Sequence, residues 1–205
     1  YLGVAYFKRG MFDESKDELS RVAKSCPSYA LAHYYLAMAR RAQNDIIGMQ
    51  ESLQNFQKFG KNLKGKEGRY VKAMITRTMN EEPEKYLQSL EDLISQYPKE
   101  KRFHFDLGVF YQVTGKIDEA IAELEKTLEL DPKFGYALNQ LAYIHGNLDN
   151  FDKAFEYFQK YAAVAPNEAN PQDSMGDLFL RVGKMDEAIK RYEKAVELKP
   201  DFGSE

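Results

Sequence analysis

Apolar positions recur along this chain with the spacing of a helix face. In residues 101–134, Phe103, Leu107, Phe110 and Tyr111 fall on one such face, and after Gly115 a second set begins with Ile117, Ala120, Ile121, Leu124 and Leu128. This pattern predicts two amphipathic helices joined by a glycine turn. Pro132 closes the second helix, because proline lacks the N–H that the ladder needs and disfavours a helical residue before it. Gly108 and Ala120 are expected at the crossing, where small side chains let two helices approach closely.

The same pattern returns along the chain. Pro98, Pro132, Pro166 and Pro200 stand 34 residues apart. In that register Leu107, Leu141 and Met175 coincide, as do Gly108, Ala142 and Gly176, then Tyr111, His145 and Phe179, then Ala120, Ala154 and Ala188, then Leu124, Phe158 and Tyr192. A fixed period of this length predicts stacked helical hairpins that bury a continuous core between neighbours. Three clear units span 101–134, 135–168 and 169–202. Looser ones follow upstream: 1–29, through Leu2, Gly3, Tyr6, Gly10, Phe12 and Pro27; 30–63, through His33, Leu36, Ala37 and Leu53; and 67–100, through Tyr70, Met74, Leu90, Leu93 and Pro98. Residues 64–66 fall outside the register, and the glycines at 60, 65 and 68 are expected to loosen that joint and place a bend there.

Unit 169–202 resembles the tetratricopeptide repeat through Gly176, Phe179, Gly183, Ala188, Tyr192, Ala195 and Pro200. The position that this family usually fills with tryptophan is His104, Leu138 or Gln172 here, and the chain has no Trp. The resemblance implies an all-α, right-handed α-solenoid of about six helix-turn-helix units forming a single array over residues 1–205. The run GKIDEAIAELEKTLELDP is similar to bacterial arrays of the family. First unit positions correspond to the interior of a helix, so the chain reads as a segment of something longer.

Composition narrows the chemistry. No apolar stretch is long enough to span a membrane, since charges interrupt every one. Cys26 is the only cysteine, which rules out an internal disulfide and fits a reducing, cytoplasmic setting. The net charge of −3 hides an asymmetry: residues 1–66 carry 11 basic and 6 acidic side chains, residues 67–100 carry 5 and 7, and residues 101–205 carry 13 and 19. Such polarity bears on association rather than on fold.

Motifs for catalysis are missing from the sequence. His33, His104 and His145 are far apart and outside any metal-binding spacing, and Cys26 has no thiolate partner. His145 takes a position that is aromatic in the neighbouring units, so it is expected in the core. Asp118, Glu119, Asp152, Asp186 and Glu187 recur where second helices begin, where acids favour the positive end of the helix dipole. The glycines at 108, 115, 176 and 183 follow the repeat rather than a phosphate loop. The expectation is a non-enzyme without metal or cofactor.

Binding remains. The resemblance implies a concave face lined by the first helix of each unit, and the family's groove positions fall on Val4 and Phe7; Leu31, Tyr34, Met38 and Arg41; Val71, Ile75 and Met79; Arg102, Phe105, Val109, Gln112 and Val113; Tyr136, Asn139, Tyr143 and Asn147; and Asn170, Asp173, Asp177 and Arg181. The set Tyr34, Met38, Val71, Ile75, Phe105, Val109, Tyr136, Asn139 and Tyr143 is the expected peptide-binding groove, apolar enough to take an apolar or amphipathic segment of a protein partner. The family's two-carboxylate clamp for chaperone tails is absent, because its positions read Phe105, Val109, Gln140, Asn170 and Ser174, or Tyr34 and Met38 in the upstream register. One alternative is the regulatory or substrate-recruiting arm of a larger enzyme. Another uses residues 54–72, where Lys58, Lys61, Lys64, Lys66, Arg69 and Lys72 alternate with Phe56, Phe59 and Tyr70, a composition that can hold phosphates and stack bases. The acidic balance of the whole chain and the lack of an RNA-binding module speak against nucleic acid, and the aromatics there are expected in the core. At the other end, the last helix keeps the apolar pattern of an internal one through Ile189, Tyr192, Val196 and Leu198, a surface for self-association unless something covers it.

Overall fold

The computed structural model describes residues 2–8, 11–61, 63–78 and 83–199, with the side chains of residues 5, 8 and 78 also left aside. Gly10, Met79, Pro200 and the segment 201–205, which the sequence reading invoked, lie outside the described residues. Every regular element among the described residues is a helix. The chain forms two compact units, the first ending at Gln96 and the second beginning at Tyr97.

The first unit holds α1 (Leu2–Lys8), α2 (Phe12–Ser25), α3 (Ala30–Ala42), α4 (Ile46–Gly60), α5 (Gly65–Thr78) and α6 (Pro83–Gln96). The second holds α7 (Lys101–Val113), α8 (Ile117–Leu130), α9 (Gly135–Asn147), α10 (Phe151–Val164), α11 (Asn170–Arg181) and α12 (Met185–Leu198). The fold is all-α, and each unit is a solenoid stack of helical hairpins.

Hairpin turns carry a backbone requirement that the sequence only half reveals. Gly115 and Gly183 adopt φ of 79° and 75°, and Asn44 and Asp149 adopt 58° and 59° in the same register. The turn takes a left-handed residue in each of these four hairpins, and Asn and Asp meet that demand because their short polar side chains tolerate the region better than most.

Small residues at the crossings do what their size predicts. A Cβ on Gly108 would stand 2.8 Å from Leu124 Cγ, and one on Gly176 would stand 2.5 Å from the Tyr192 ring. Ala120, Ala154 and Ala188 are fully buried beside them. The cores then form between hairpins: Ala120 and Leu124 of α8 meet Ala137, Leu141 and Ile144 of α9. One unit further along, Phe158 and Ala154 of α10 meet Met175 and Leu178 of α11, with Ala142 of α9. In the first unit Ala30 and Phe56 pack with Val71 and Met74 of α5, while Leu19 of α2 packs with Ala32 and Leu36 of α3.

The expectation of a loose joint at residues 60–68 meets a different structure. Gly60 and Gly68 are buried, a Cβ on Gly60 would stand 2.7 Å from Val71 Cγ1, and one on Gly68 would fall 2.3 Å from the Leu63 carbonyl. These two glycines permit close packing rather than looseness, whereas Gly65 takes φ of 70° at the start of α5 with open space around it. Residues 64–66 lie within the first compact unit, whose boundary falls at Gln96 instead.

Two histidines in one register position tie helices to loops. His33 Nε2 is 2.8 Å from the Pro27 carbonyl and His104 Nε2 is 3.0 Å from the Pro98 carbonyl. His104 also reaches Glu123 through Nδ1 at 2.7 Å. They stand where the family usually has tryptophan or another bulky residue, and they replace its packing with polar links.

Candidate functional site

First helices of the second unit carry a continuous run of side chains. On α7, Phe105 is half-buried, with its ring centroid 5.2 Å from Phe134 and 6.3 Å from Tyr136. Tyr136, Asn139 and Tyr143 follow at helical spacing on α9, and Tyr136 and Tyr143 keep 45% and 37% of their surfaces exposed. Such exposure is notable for large aromatic side chains, which otherwise bury most of their area. The Tyr143 ring meets Phe158 edge-on at 5.3 Å, and its hydroxyl lies 2.7 Å from Ser174 Oγ on α11. Phe105, Tyr136, Tyr143 and Ser174 thus connect α7 to α9 and α9 to α11. Val109 lies half-buried one turn beyond Phe105, and Val113 at the end of α7 is 82% exposed.

Toward α11 the surface becomes polar. Asp173 and Asp177 stand one turn apart there, and Asp177 accepts a hydrogen bond from the Tyr192 hydroxyl at 2.7 Å. Burial, and then the charge of Asp177, holds the Asp173 carboxyl above its ordinary range. Burial raises the Tyr143 phenol, with the Asp177 and Asp173 charges adding to it. The Tyr192 phenol is pushed up to about 12, first by burial and then by its bond to Asp177. Asn139 Oδ1 and Asn170 Oδ1 are shielded from solvent and have no hydrogen-bond partner among the described residues.

The first unit presents its own set. Tyr34 packs its ring 5.2 Å from Phe56 and 5.3 Å from Tyr35, and Met38 is half-buried a turn later. Ile75 is half-buried beside Gly60. Val71 departs from expectation: it is wholly enclosed with Ala30, Phe56 and Met74, because Gly60 lets α4 and α5 approach so closely that nothing of Val71 reaches the surface. It is a core residue and offers a ligand no area. Met79 lies outside the described residues.

Residues 54–72 separate into two layers. Phe56 is 1% exposed, and Phe59 and Tyr70 pack around the same core, so the aromatics are structural. Lys58, Lys61, Lys64, Lys66, Arg69 and Lys72 remain on the outside, Arg69 donating to Gln96 Oε1 at 2.6 Å. Asn62 lies outside the described residues.

Ser174 sits in a register slot that is polar in each of the three clear units. Asp106, Gln140 and Ser174 share one register position inside an otherwise apolar helix face. A polar residue recurring in such a slot signals a buried polar contact. Asp106, 2% exposed, takes two bonds of 3.2 Å from Arg102 Nε, and Ser174, 1% exposed, meets Tyr143.

Comparison with known proteins fits this architecture. Models described as tetratricopeptide repeat match residues 1–29, 102–134 and 134–201. The chain belongs to the tetratricopeptide repeat family. Among curated proteins this tetratricopeptide chain is similar to the human protein O-mannosyl-transferase TMTC1, 30% identical over 99 residues, which cover 46% of the chain and 11% of that protein. It is also similar to the peroxisomal targeting signal receptor of Saccharomyces cerevisiae, 29% identical over 109 residues, which cover 52% of the chain and 16% of the receptor. The chain therefore spans a small part of these relatives. Among solved structures, that of PilW, a type IV pilus biogenesis factor, superposes with a TM-score of 0.61 at 18% identity, covering 98% of this chain and 92% of that one. MamA superposes with a TM-score of 0.55 at 18% identity, covering 100% and 98%. These likenesses show the tetratricopeptide fold. Tetratricopeptide arrays are, as a class, non-enzymatic scaffolds for protein partners, and no described helix is long and apolar enough to cross a membrane.

Proposed function

We propose that this chain is a protein-interaction scaffold whose second unit holds an apolar or amphipathic segment of a partner along α7, α9 and α11. The carrying observation is the run of aromatic side chains Phe105, Tyr136 and Tyr143, each held by ring packing or a hydrogen bond and each still partly exposed. Aromatic side chains held rigidly by packing present area at little entropic cost, which is what a recognition surface needs.

Peptides selected by display against the intact protein test this reading. Binding is expected to persist at high salt, since apolar burial is little screened, and to weaken by about 2 kcal/mol or more in Phe105→Ala, Tyr143→Ala protein. Unchanged binding by a folded double variant refutes it.

Recruitment within a larger enzyme is a second reading, favoured by the partial match to a mannosyltransferase. Base stacking on residues 54–72 is disfavoured, because Phe56 is buried and Phe59 and Tyr70 are half-buried against the same core. Phosphate or carboxylate contacts by the outer lysines remain as a secondary property, to be read from steep salt dependence.

A further inference from the structure

We propose that the open face of α12 docks a basic amphipathic helix of a partner protein, packed on it as α9 packs on α8. The surface is separate from the groove and does not depend on the reading above. The second unit repeats one interface. On α8, Leu124 is fully buried and Ile117, Ile121 and Leu128 are half-buried in the core that Ala137, Leu141 and Ile144 of α9 complete. On α10, Phe158 is buried and Phe151, Phe155 and Ala162 are half-buried in the core that Met175 and Leu178 of α11 complete. Met185, Ile189, Tyr192 and Val196 hold the same four register positions on α12, the last of the described helices. There Met185, Ile189 and Val196 keep 59%, 47% and 48% of their surfaces exposed.

The interface that would close this stripe is thus already made twice within the unit, and its geometry states what the occupant offers. Aliphatic residues stand three apart, as Leu141 and Ile144 do and as Met175 and Leu178 do, with a small residue such as Ala137 one turn earlier to let the helices approach. Charge adds a second demand. Asp186, Glu193 and Glu197, all exposed, fall at helical spacing along one edge of the stripe, opposite the buried Ala188 and Ala195. A helix edged with lysine or arginine meets those carboxylates. A second copy turning the same face antiparallel sets them against their own equivalents, which disfavours that occupant.

Two synthetic helices of about 20 residues, long enough to hold helix in water, test this. Both carry alanine, leucine and isoleucine at the spacing of Ala137, Leu141 and Ile144; one is edged with lysines and the other with glutamates. Each is titrated into the intact protein while backbone amide shifts are followed. The lysine-edged peptide is expected to shift amides of α12 and to bind about tenfold more tightly than the glutamate-edged one. Ile189→Lys, Val196→Glu protein should lose this binding. Asp186→Asn, Glu193→Gln protein should keep it without the tenfold preference, and Phe105→Ala, Tyr143→Ala protein should bind as the parent does. Shifts confined to other helices, equal affinity of the two peptides, or binding that survives Ile189→Lys, Val196→Glu overturns the inference. So does association of the protein through α12, measured by sedimentation, that neither peptide displaces, because the occupant is then a second copy.

Discussion

Tyr143 and Ser174 form a coupled pair whose strength can be worked out from their unequal burial. Ser174 is 1% exposed while Tyr143 keeps 37% of its surface, and their oxygens are 2.7 Å apart. In Tyr143→Phe the serine oxygen is left buried without its partner, so the loss is that of an orphaned group, about 1–3 kcal/mol. The lower end applies if the serine turns back to its own helix carbonyl. In Ser174→Ala the phenol can turn to water, so the loss is closer to a net hydrogen bond, about 0.5–1.5 kcal/mol. With both changes nothing buried is orphaned, and the double variant should cost less than the two singles together, with a coupling of about 1 kcal/mol. Urea unfolding of all four proteins measures this, provided that the denaturant slopes agree, since repeat arrays can lose two-state behaviour. Additivity within about 0.3 kcal/mol would show that the bond fixes nothing and that Tyr143 is held by ring packing alone.

Three other outcomes are expected. His145 is buried, its ring nitrogens have no hydrogen-bond partner among the described residues, it stacks on Tyr157, and its pKa is lowered from 6.5, first by burial and then by Lys153. The unfolded chain then takes up the proton more readily, so stability present above pH 6.5 is lost as pH falls through the folded pKa, and His145→Phe should remove that loss before carboxylates titrate. Gly68→Ala should lower stability by about 2 kcal/mol in thermal unfolding, because its Cβ would meet backbone; a neutral result would show that α5 can shift freely. Ile189 and Val196 of α12 are 47% and 48% exposed, and Ile189→Lys with Val196→Glu should reduce any concentration-dependent association in sedimentation; an unaffected parent would show that this face is inert.

Much of the fold was readable because each unit repeats the same steric demands. Small residues at 108, 120, 154, 176 and 188 and the prolines fix where helices cross and stop. Less could be read where two residue types meet one demand. Asn44 and Asp149 fill the left-handed turn position as Gly115 and Gly183 do, yet they give no glycine signal. Conversely, Gly60 and Gly68 looked like flexible punctuation, whereas their neighbours show that they are contact surfaces. The candidate groove positions were carried over from the family's register, but their division into exposed and enclosed members was not legible. Val71 and Tyr136 both fall on the family's groove positions, and the closeness of α4 to α5 buries the first while the second stays open. Asp173, Asp177 and Arg181 were legible as a polar set, but not that Arg181 bonds to Asn147 and Asp149 rather than to its neighbouring carboxylates.

The cores between hairpins also say how such a chain can be cut and rejoined. Ala120 and Leu124 belong to the end of one sequence repeat, and Ala137, Leu141 and Ile144 to the start of the next. Phe105 and Tyr111 of α7 pack against the same core, so the piece that carries it whole is α7 through α9. A chimera joined at Pro132 separates Ala120 and Leu124 from Ala137, Leu141 and Ile144 and brings together two half-cores shaped by different histories. Shuffling by recombination should then disfavour breakpoints on the proline ruler.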